Sequence, residues 1–463
     1  MAIGYRLLTI DHRPPPAPKL SLMALPSLNE PIAAIATPPG KGAVGIVRLS
    51  GVGALEVAAK VWRGRDLRHL EGGRFTLGLI LHPDTREALD EALALVFRAP
   101  NSYTGQDAVE FQTHGSPAVL RQVLQALLDA GARPAQPGEF TLRAYLNGRM
   151  DLAQAESVLA LVEAESDAAR RQALRGLSKE LSERIEGMSR ELLDLLAHIQ
   201  ALLDYPEEGV EPHQAQGVLE RVLGEVEHLL ATAPAGRIAQ KGARLALVGA
   251  PNAGKSSLLN ALLGYERAIV TPIPGTTRDY LEAPLEIAGV PIVAVDTAGL
   301  RQTDDVVERS GVERALSIAQ EADLVLYLAD RSQPRADTPG LLAPLPQERV
   351  LRLATKADLP AAWHDPAFLP VSSATGEGMP VLLEAIHQRL LGEAPEGEVW
   401  ISNERHAQAL REAKGHLLDA LASPEDLMGL SIQAALEALN RILGKDVPEE
   451  VIDRVFRNFC VGK

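Results

Sequence analysis

The sequence predicts a multidomain chain in which an α/β unit interrupts a set of long helices, behind an α+β segment. Three observations carry that prediction. From Asp151 to Leu203 no proline occurs and leucines recur at helical spacing among polar residues, the mark of long amphipathic helices. Between about Gly242 and Leu391 short apolar runs alternate with helix-like segments, as in a doubly wound parallel sheet. Beyond it, Asn403–Leu421 and Ser431–Leu443 return to helical periodicity. Helices on both flanks imply one all-α domain with the α/β unit inserted, which is feasible because domain termini often lie close together.

Taken in order, residues 1–26 with Pro14-Pro15-Pro16 read as a flexible lead without the apolar core of a secretion signal. Met23 stands just before the first strand-like run and is an alternative start. Residues 27–149 mix strand-like runs (Ile32–Thr37, Gly45–Leu49, Leu93–Phe97, Ala108–Thr113) with one helical stretch, Pro117–Ala130, so an α+β domain is expected. The helical domain is expected over 150–240 plus 392–463, with a break at Asp204-Tyr-Pro-Glu-Glu-Gly209 and a resumption at Gln216–Ala231. The α/β unit, 241–391, places strands at Leu245–Val248, Val290–Val295, Leu324–Ala329, Val350–Ala354 and Leu369–Ser372.

Composition excludes several classes. A single cysteine, Cys460, among 463 residues rules out an internal disulfide framework and suits a reducing cytoplasm. No apolar run approaches the length of a membrane-spanning helix. The net charge of −15 opposes broad adhesion to nucleic acid. An RNA substrate therefore needs a local patch or a partner. Arg143, Arg170 and Arg171 are candidates for phosphate contacts, against their reading as solvated helix faces.

The chemistry concentrates in the α/β unit. Gly249-Ala-Pro-Asn-Ala-Gly-Lys-Ser256 follows an apolar run and precedes a helix-like one. It is a phosphate-binding loop, with backbone N–H groups, Lys255 and Ser257 around the phosphates and the Ser256 hydroxyl on Mg2+. Asn252, Ala253 and Gly254 shape the loop, and Asn252 offers an oxygen to a monovalent cation, with loop shaping as its alternative. Gly275-Thr276-Thr277-Arg-Asp279 supplies the first switch, where Thr277 is the second Mg2+ hydroxyl, and Thr271, Pro272, Ile273 and Pro274 just before it are counted with the nucleotide site. Asp296-Thr297-Ala298-Gly299 closes a strand where metal and γ-phosphate are sensed. Thr355-Lys356-Ala-Asp358 matches a guanine-reading Asn-Lys-x-Asp with Thr in place of Asn, and Ser372-Ser373-Ala374 fits the loop closing over the guanine oxygen. A carboxylate at Asp358 accepts from guanine N1–H and the 2-amino group together. These elements in order imply GTP binding and hydrolysis. Leu300 stands where Ras-type enzymes carry a water-orienting Gln, so the acidic stretch Asp304–Arg309 becomes the nearest supply.

Three further stretches resemble one family, the MnmE/TrmE tRNA-modification GTPases. They are Ala36-Thr-Pro-Pro-Gly-Lys-Gly-Ala-Val-Gly45, Pro137-Gly-Glu-Phe-Thr-Leu-Arg-Ala-Tyr-Leu-Asn-Gly-Arg-Met-Asp-Leu-Ala-Gln-Ala-Glu156 and Phe459-Cys-Val-Gly-Lys463. The resemblance covers nearly everything after about Asn29. It implies a folate-binding-like N-terminal domain that also makes a homodimer, and a Ras-like G domain whose K+-stimulated GTPase works by pairing across that dimer. It implies a heterotetramer with the FAD protein MnmG (GidA) that installs an aminomethyl or carboxymethylaminomethyl group at C5 of wobble uridine U34 in tRNA. A 5,10-methylene- or 5-formyl-tetrahydrofolate derivative supplies the carbon. By the same resemblance Arg48, Glu110, Arg149 and Lys463 contact folate, and Asn252, Thr271, Ile273 and Thr276 surround K+. Glu308 orients water, and Cys460 serves the modification chemistry. A lone Cys beside Phe459 and Val461 is also read as a small buried hydrophobe. The rival is a ribosome-assembly GTPase of Era or Der type, which would carry a basic RNA-binding module after Leu391; that segment is instead rich in Glu, Asp and Leu.

Overall fold

The computed structural model describes residues 29–204, 213–265, 281–287, 289–296, 316–335, 343–392, 397–445 and 447–463. The expected lead, with Met23, and most of the expected break after Asp204 lie outside them. The chain divides into two compact units, Met1–Glu156 with Leu443–Lys463, and Ser157–Ile442.

The first unit is α+β. Its strands are β1 (Ile32–Ile35), β2 (Val44–Ser50), β3 (Trp62–Arg63), β4 (Arg74–Leu81), β5 (Ala88–Phe97), β6 (Ala108–His114) and β7 (Arg133–Pro134). They form one sheet ordered β3-β4-β5-β6-β2-β1-β7, antiparallel except for β1 with β7. Alternation sends Val47, Leu49, Ala94, Val96, Val109 and Phe111 to one face, where they join a core with residues of helices Ala54–Val61 and Pro117–Asp129. The intervening residues, Arg48 and Glu110 among them, take the other face. The four strand-like runs foreseen in this part of the chain are strands, but β4 was not foreseen. Gly78 weakens its strand pattern, and the structure explains the glycine: a Cβ there would lie 2.5 Å from the Trp62 ring and 2.6 Å from the Arg63 carbonyl oxygen.

The second unit pairs helices with a parallel sheet. Helices Asp167–Leu177, Glu180–Asp204, His213–Ala231 and Ala233–Lys241 precede the sheet; Glu404–Ala422 and Glu425–Leu443 follow it. Asn403 caps the first of the latter pair by accepting from Arg405 N. The strands are β8 (Ala243–Gly249), β9 (Leu281–Ile287), β10 (Val290–Asp296), β11 (Leu324–Asp330), β12 (Val350–Thr355) and β13 (Leu369–Pro370). Their order is β13-β12-β11-β8-β10-β9, all parallel but the β9–β10 hairpin. The unforeseen β9 carries Pro284, which cannot donate to a ladder, and it lies at the sheet edge. The chain leaves β8 toward β10 on one side and β11 on the other, so a crevice opens at the carboxyl ends of those strands. The fold is thus multidomain: an α+β N-terminal part, an all-α part and an α/β nucleotide-binding sheet of Ras-like strand order.

Candidate functional site

The phosphate loop occupies that crevice. β8 ends at Gly249, where a Cβ would sit 2.4 Å from the Leu328 carbonyl oxygen, so only glycine fits beside β11. Two left-handed residues then bend the chain, Asn252 (φ 65°) and Gly254 (φ 93°). Helix Lys255–Tyr265 starts at once, with Leu258 N donating to Gly254 O at 2.8 Å. The Lys255 ammonium folds over the loop, donating to Gly249 O at 2.8 Å and Ala250 O at 2.9 Å. Asn252, Ser256 and Ser257 stay exposed on the rim. A curved backbone, a helix N-terminus and a held cation make a cradle that fits a triphosphate. Asp296 ends β10 in register with Leu247 of β8, just before the loop.

The Thr355–Asp358 element lies at the end of the neighbouring strand β12. Thr355 is buried, and its Oγ1 lies 2.8 Å from Ala253 O and 3.1 Å from Ala329 O. Its one proton serves one carbonyl at a time, so threonine in place of asparagine links the end of β12 to the phosphate loop or to β11. Asp358 Oδ1 accepts from Ser372 Oγ at 2.5 Å, and that hydroxyl oxygen accepts from Ala374 N and Thr375 N at 3.2 Å. Ala357 N donates to Val371 O at 3.1 Å, which seats the two loops together. The structure therefore unites Asp358 with the Ser373–Ala374 turn. Ser372, the first residue of the expected Ser-Ser-Ala loop, is the one that meets the Asp358 carboxylate. Thr271, Pro272, Ile273, Pro274, Gly275, Thr276, Thr277, Thr297, Ala298, Gly299 and Glu308 lie outside the described residues. Among the described residues no three His, Cys, Asp or Glu side chains gather as a metal site, and no helix is long and apolar enough to cross a membrane.

The first unit holds a second cluster. Strand pairing sets Arg48 of β2 opposite Glu110 of β6, and Arg48 Nε donates to Glu110 Oε1 at 2.8 Å. Arg48 Nη1 donates to Gly462 O at 3.1 Å, and the guanidinium lies 5.5 Å from both the Tyr103 and Phe140 ring centroids. Tyr103 OH pairs with Thr141 Oγ1 at 2.8 Å; burial pushes its phenol up. The chain's last residues are threaded tightly. A Cβ at Gly462 (φ 95°) would lie 2.6 Å from Ile35 O, and one at Gly138 would lie 2.4 Å from Phe456 O. Lys463 N donates to Cys460 O at 3.3 Å. Arg149 is exposed on the turn after helix Glu139–Leu146, its stem against Gly105. An Arg–Glu pair between two aromatic rings suits a flat, hydrogen-bonding ring system.

Two expectations change. Cys460 is exposed, not a buried hydrophobe; Phe459 takes the buried place, stacked 5.5 Å from Phe456. Arg143 is no phosphate-facing residue but is 1% exposed, pairing with Glu139 at 2.9 Å and donating to Glu30 O at 2.9 Å and Gln106 Oε1 at 3.2 Å. Arg133 closes on the same carboxylate at 2.6 Å. Burial pushes the Glu139 carboxyl up, but the two guanidinium groups and Gln136 N outweigh it and hold it below the ordinary range. Arg170 and Arg171 are exposed and both pair with Asp167.

Two family models match the chain. The family model "GTP-binding protein TrmE N-terminus" matches residues 31–149, and "MnmE helical domain" matches residues 152–460. The chain is 67% identical over 437 residues to the tRNA modification GTPase MnmE of Thermus thermophilus, covering 94% of this chain and 100% of that one. It is 43% identical over 453 residues to the protein of that name from Chloroflexus aurantiacus, with the same coverage. A solved structure, a variant of Aquifex aeolicus Era bound to GDP.AlF4-, is 27% identical with a TM-score of 0.26, covering 40% of this chain and 69% of that chain. With a helical-domain match over more than half its length and relatives aligned end to end, the chain belongs to the MnmE (TrmE) family of tRNA modification GTPases.

Proposed function

We propose that the chain is a GTP-hydrolysing enzyme of tRNA modification. With the FAD protein MnmG it adds an aminomethyl or carboxymethylaminomethyl group to C5 of wobble uridine U34, in the cytoplasm. The observation that supports the GTP-hydrolysing part of this reading is the joined pair of loops: a cradle around Lys255 tied through Thr355 to the Asp358–Ser372 pair. The cradle binds phosphate and Asp358 selects guanine over adenine. Three domains divide the work, 27–149, 150–240 with 392–463, and the G domain 241–391.

Ser256 and Thr277 would hold Mg2+, and Asn252, Thr271, Ile273 and Thr276 would hold K+; these ions supply positive charge at the phosphates. Glu308 orients the attacking water in place of the missing Gln. Arg48, Glu110, Arg149 and Lys463 would hold a tetrahydrofolate derivative, which supplies the one-carbon unit when bound, with Cys460 exposed nearby in sequence for the modification step. Phe75 and Leu77 of β4, 67% and 60% exposed, support a homodimer, because a monomer rarely leaves large apolar side chains adjacent on one sheet face.

Exchanging Glu308 for Ala should slow hydrolysis by about a hundredfold or more, the scale of a lost water-orienting group, with GTP affinity preserved. Turnover equal to the parent's removes Glu308 from the mechanism. Faster turnover in K+ than in Na+ buffer tests the cation site, and nucleoside analysis of U34 in a deletion strain tests the modification.

A further inference from the structure

Lys356 is constrained at both ends. Its backbone adopts a left-handed turn, φ 59°, which strains a residue bearing a Cβ. Its Nζ reaches back to β11 and donates to Asp330 Oδ2 at 2.6 Å. Parallel pairing puts Asp330 opposite Thr355, one position before the lysine, so the sheet itself delivers the carboxylate. The other carboxylate oxygen is engaged as well, accepting from Ser332 N at 2.8 Å and Ser332 Oγ at 2.7 Å. Trp363 Nε1 donates to Asp330 O at 2.9 Å and Arg331 N to Thr355 O at 3.0 Å, bracing the strand end. Burial raises the Asp330 carboxyl, but the hydrogen bonds from Lys356 and Ser332 prevail and keep it below the usual carboxylate range, so it is charged at neutral pH.

A free lysine stem samples many rotamers, and ordering it on ligand binding costs affinity. Here the ordering is already done. Lys356 stands between Thr355, whose hydroxyl touches the phosphate loop, and Asp358, whose carboxylate is set by Ser372. We propose that Asp330 is a positioning residue of the guanine pocket, pinning Lys356 so that its methylene stem forms a preordered apolar wall for the purine face of a guanine nucleotide. This rests on Thr355–Asp358 being the guanine-reading element, and it adds a residue that no nucleotide motif of the sequence contains.

A double-mutant cycle on the full chain tests it, with a fluorescently labelled GDP as probe and GTP turnover as second readout. Asp330→Asn should weaken labelled GDP by about tenfold, the scale of one charge-assisted hydrogen bond, and raise KM with kcat within about twofold. In a Lys356→Met background the same change should add nothing, and Ser332→Ala should change affinity less than Asp330→Asn does. Equal losses in both backgrounds would show that Asp330 merely shapes the end of β11, and would overturn the proposal; so would unchanged affinity in Asp330→Asn. If that variant melts below assay temperature, Asp330→Glu enters the same cycle with the same two overturning results. The underlying reading fails separately, if the parent chain binds labelled ADP as tightly as labelled GDP.

Discussion

The phosphate loop runs from Gly249 to Ser256 without interruption, whereas the Arg48 cluster draws on β2, β6, the Tyr103 loop, helix Glu139–Leu146 and the end of the chain. Arg48 and Gly462 are 414 positions apart. The contrast shows two ways of fixing a charged group. In the loop, glycine geometry and a helix start bend one short peptide, so few long-range contacts are needed. In the cluster even the tight glycines, Gly138 and Gly462, act between segments far apart in the chain, so the site exists only once the sheet is paired and the tail has returned. Its closure entropy is met by the whole unit's packing, so it is as fragile as its supports.

The largest effect should fall on those supports. Glu139→Gln leaves two neighbouring guanidinium groups, one fully buried, without their shared anion, and should cost about 3–5 kcal/mol of stability by chemical denaturation. Because the folded carboxyl titrates below its ordinary value, its contribution is present above the usual glutamate range and fades as pH falls through the lowered one. The parent should therefore lose stability on acidification that the variant never had; parallel pH profiles would refute this. Next, Lys255→Ala should lower affinity for labelled GTP by about a hundredfold or more, as lost charge-assisted bonds require, with the melting of the first unit unmoved. A shift of that melting would break the separation drawn between the two regions. The smallest effect sharpens the contrast. Thr355→Val removes the loop's long-range tie to β12, 102 positions from Ala253, and should cost about 1 kcal/mol, or roughly fivefold in GTP affinity. No loss would make the loop self-sufficient.

What could be read beforehand follows the same division. The phosphate loop and the Thr355–Asp358 element were legible because each is contiguous and sits at the end of an apolar run. Asp330 was not chosen, since a strand-end Asp has many ordinary roles; only strand register brings it to Lys356. The Arg48–Glu110 pair was reached through family resemblance alone, because residues 62 apart leave no spacing signal until β2 and β6 are paired. Arg143 misled because helix Glu139–Leu146 buries Glu139 through Ala144 without a break, so periodicity marks no wet face. Strand β9 was hidden by Pro284, whose tolerance depends on an edge position that topology alone reveals.

One small feature between sheet and helices has a mechanical meaning. The amides of Val399, Trp400 and Ile401 are accepted by Glu180 Oε1, Gln172 Oε1 and Thr232 Oγ1, at 2.9, 3.0 and 3.0 Å. Two hooks from separate helices and one from the turn before a third seize three successive links, so the thread cannot slip by one notch without presenting each link to the wrong hook. This stitch admits neither an added nor a missing residue.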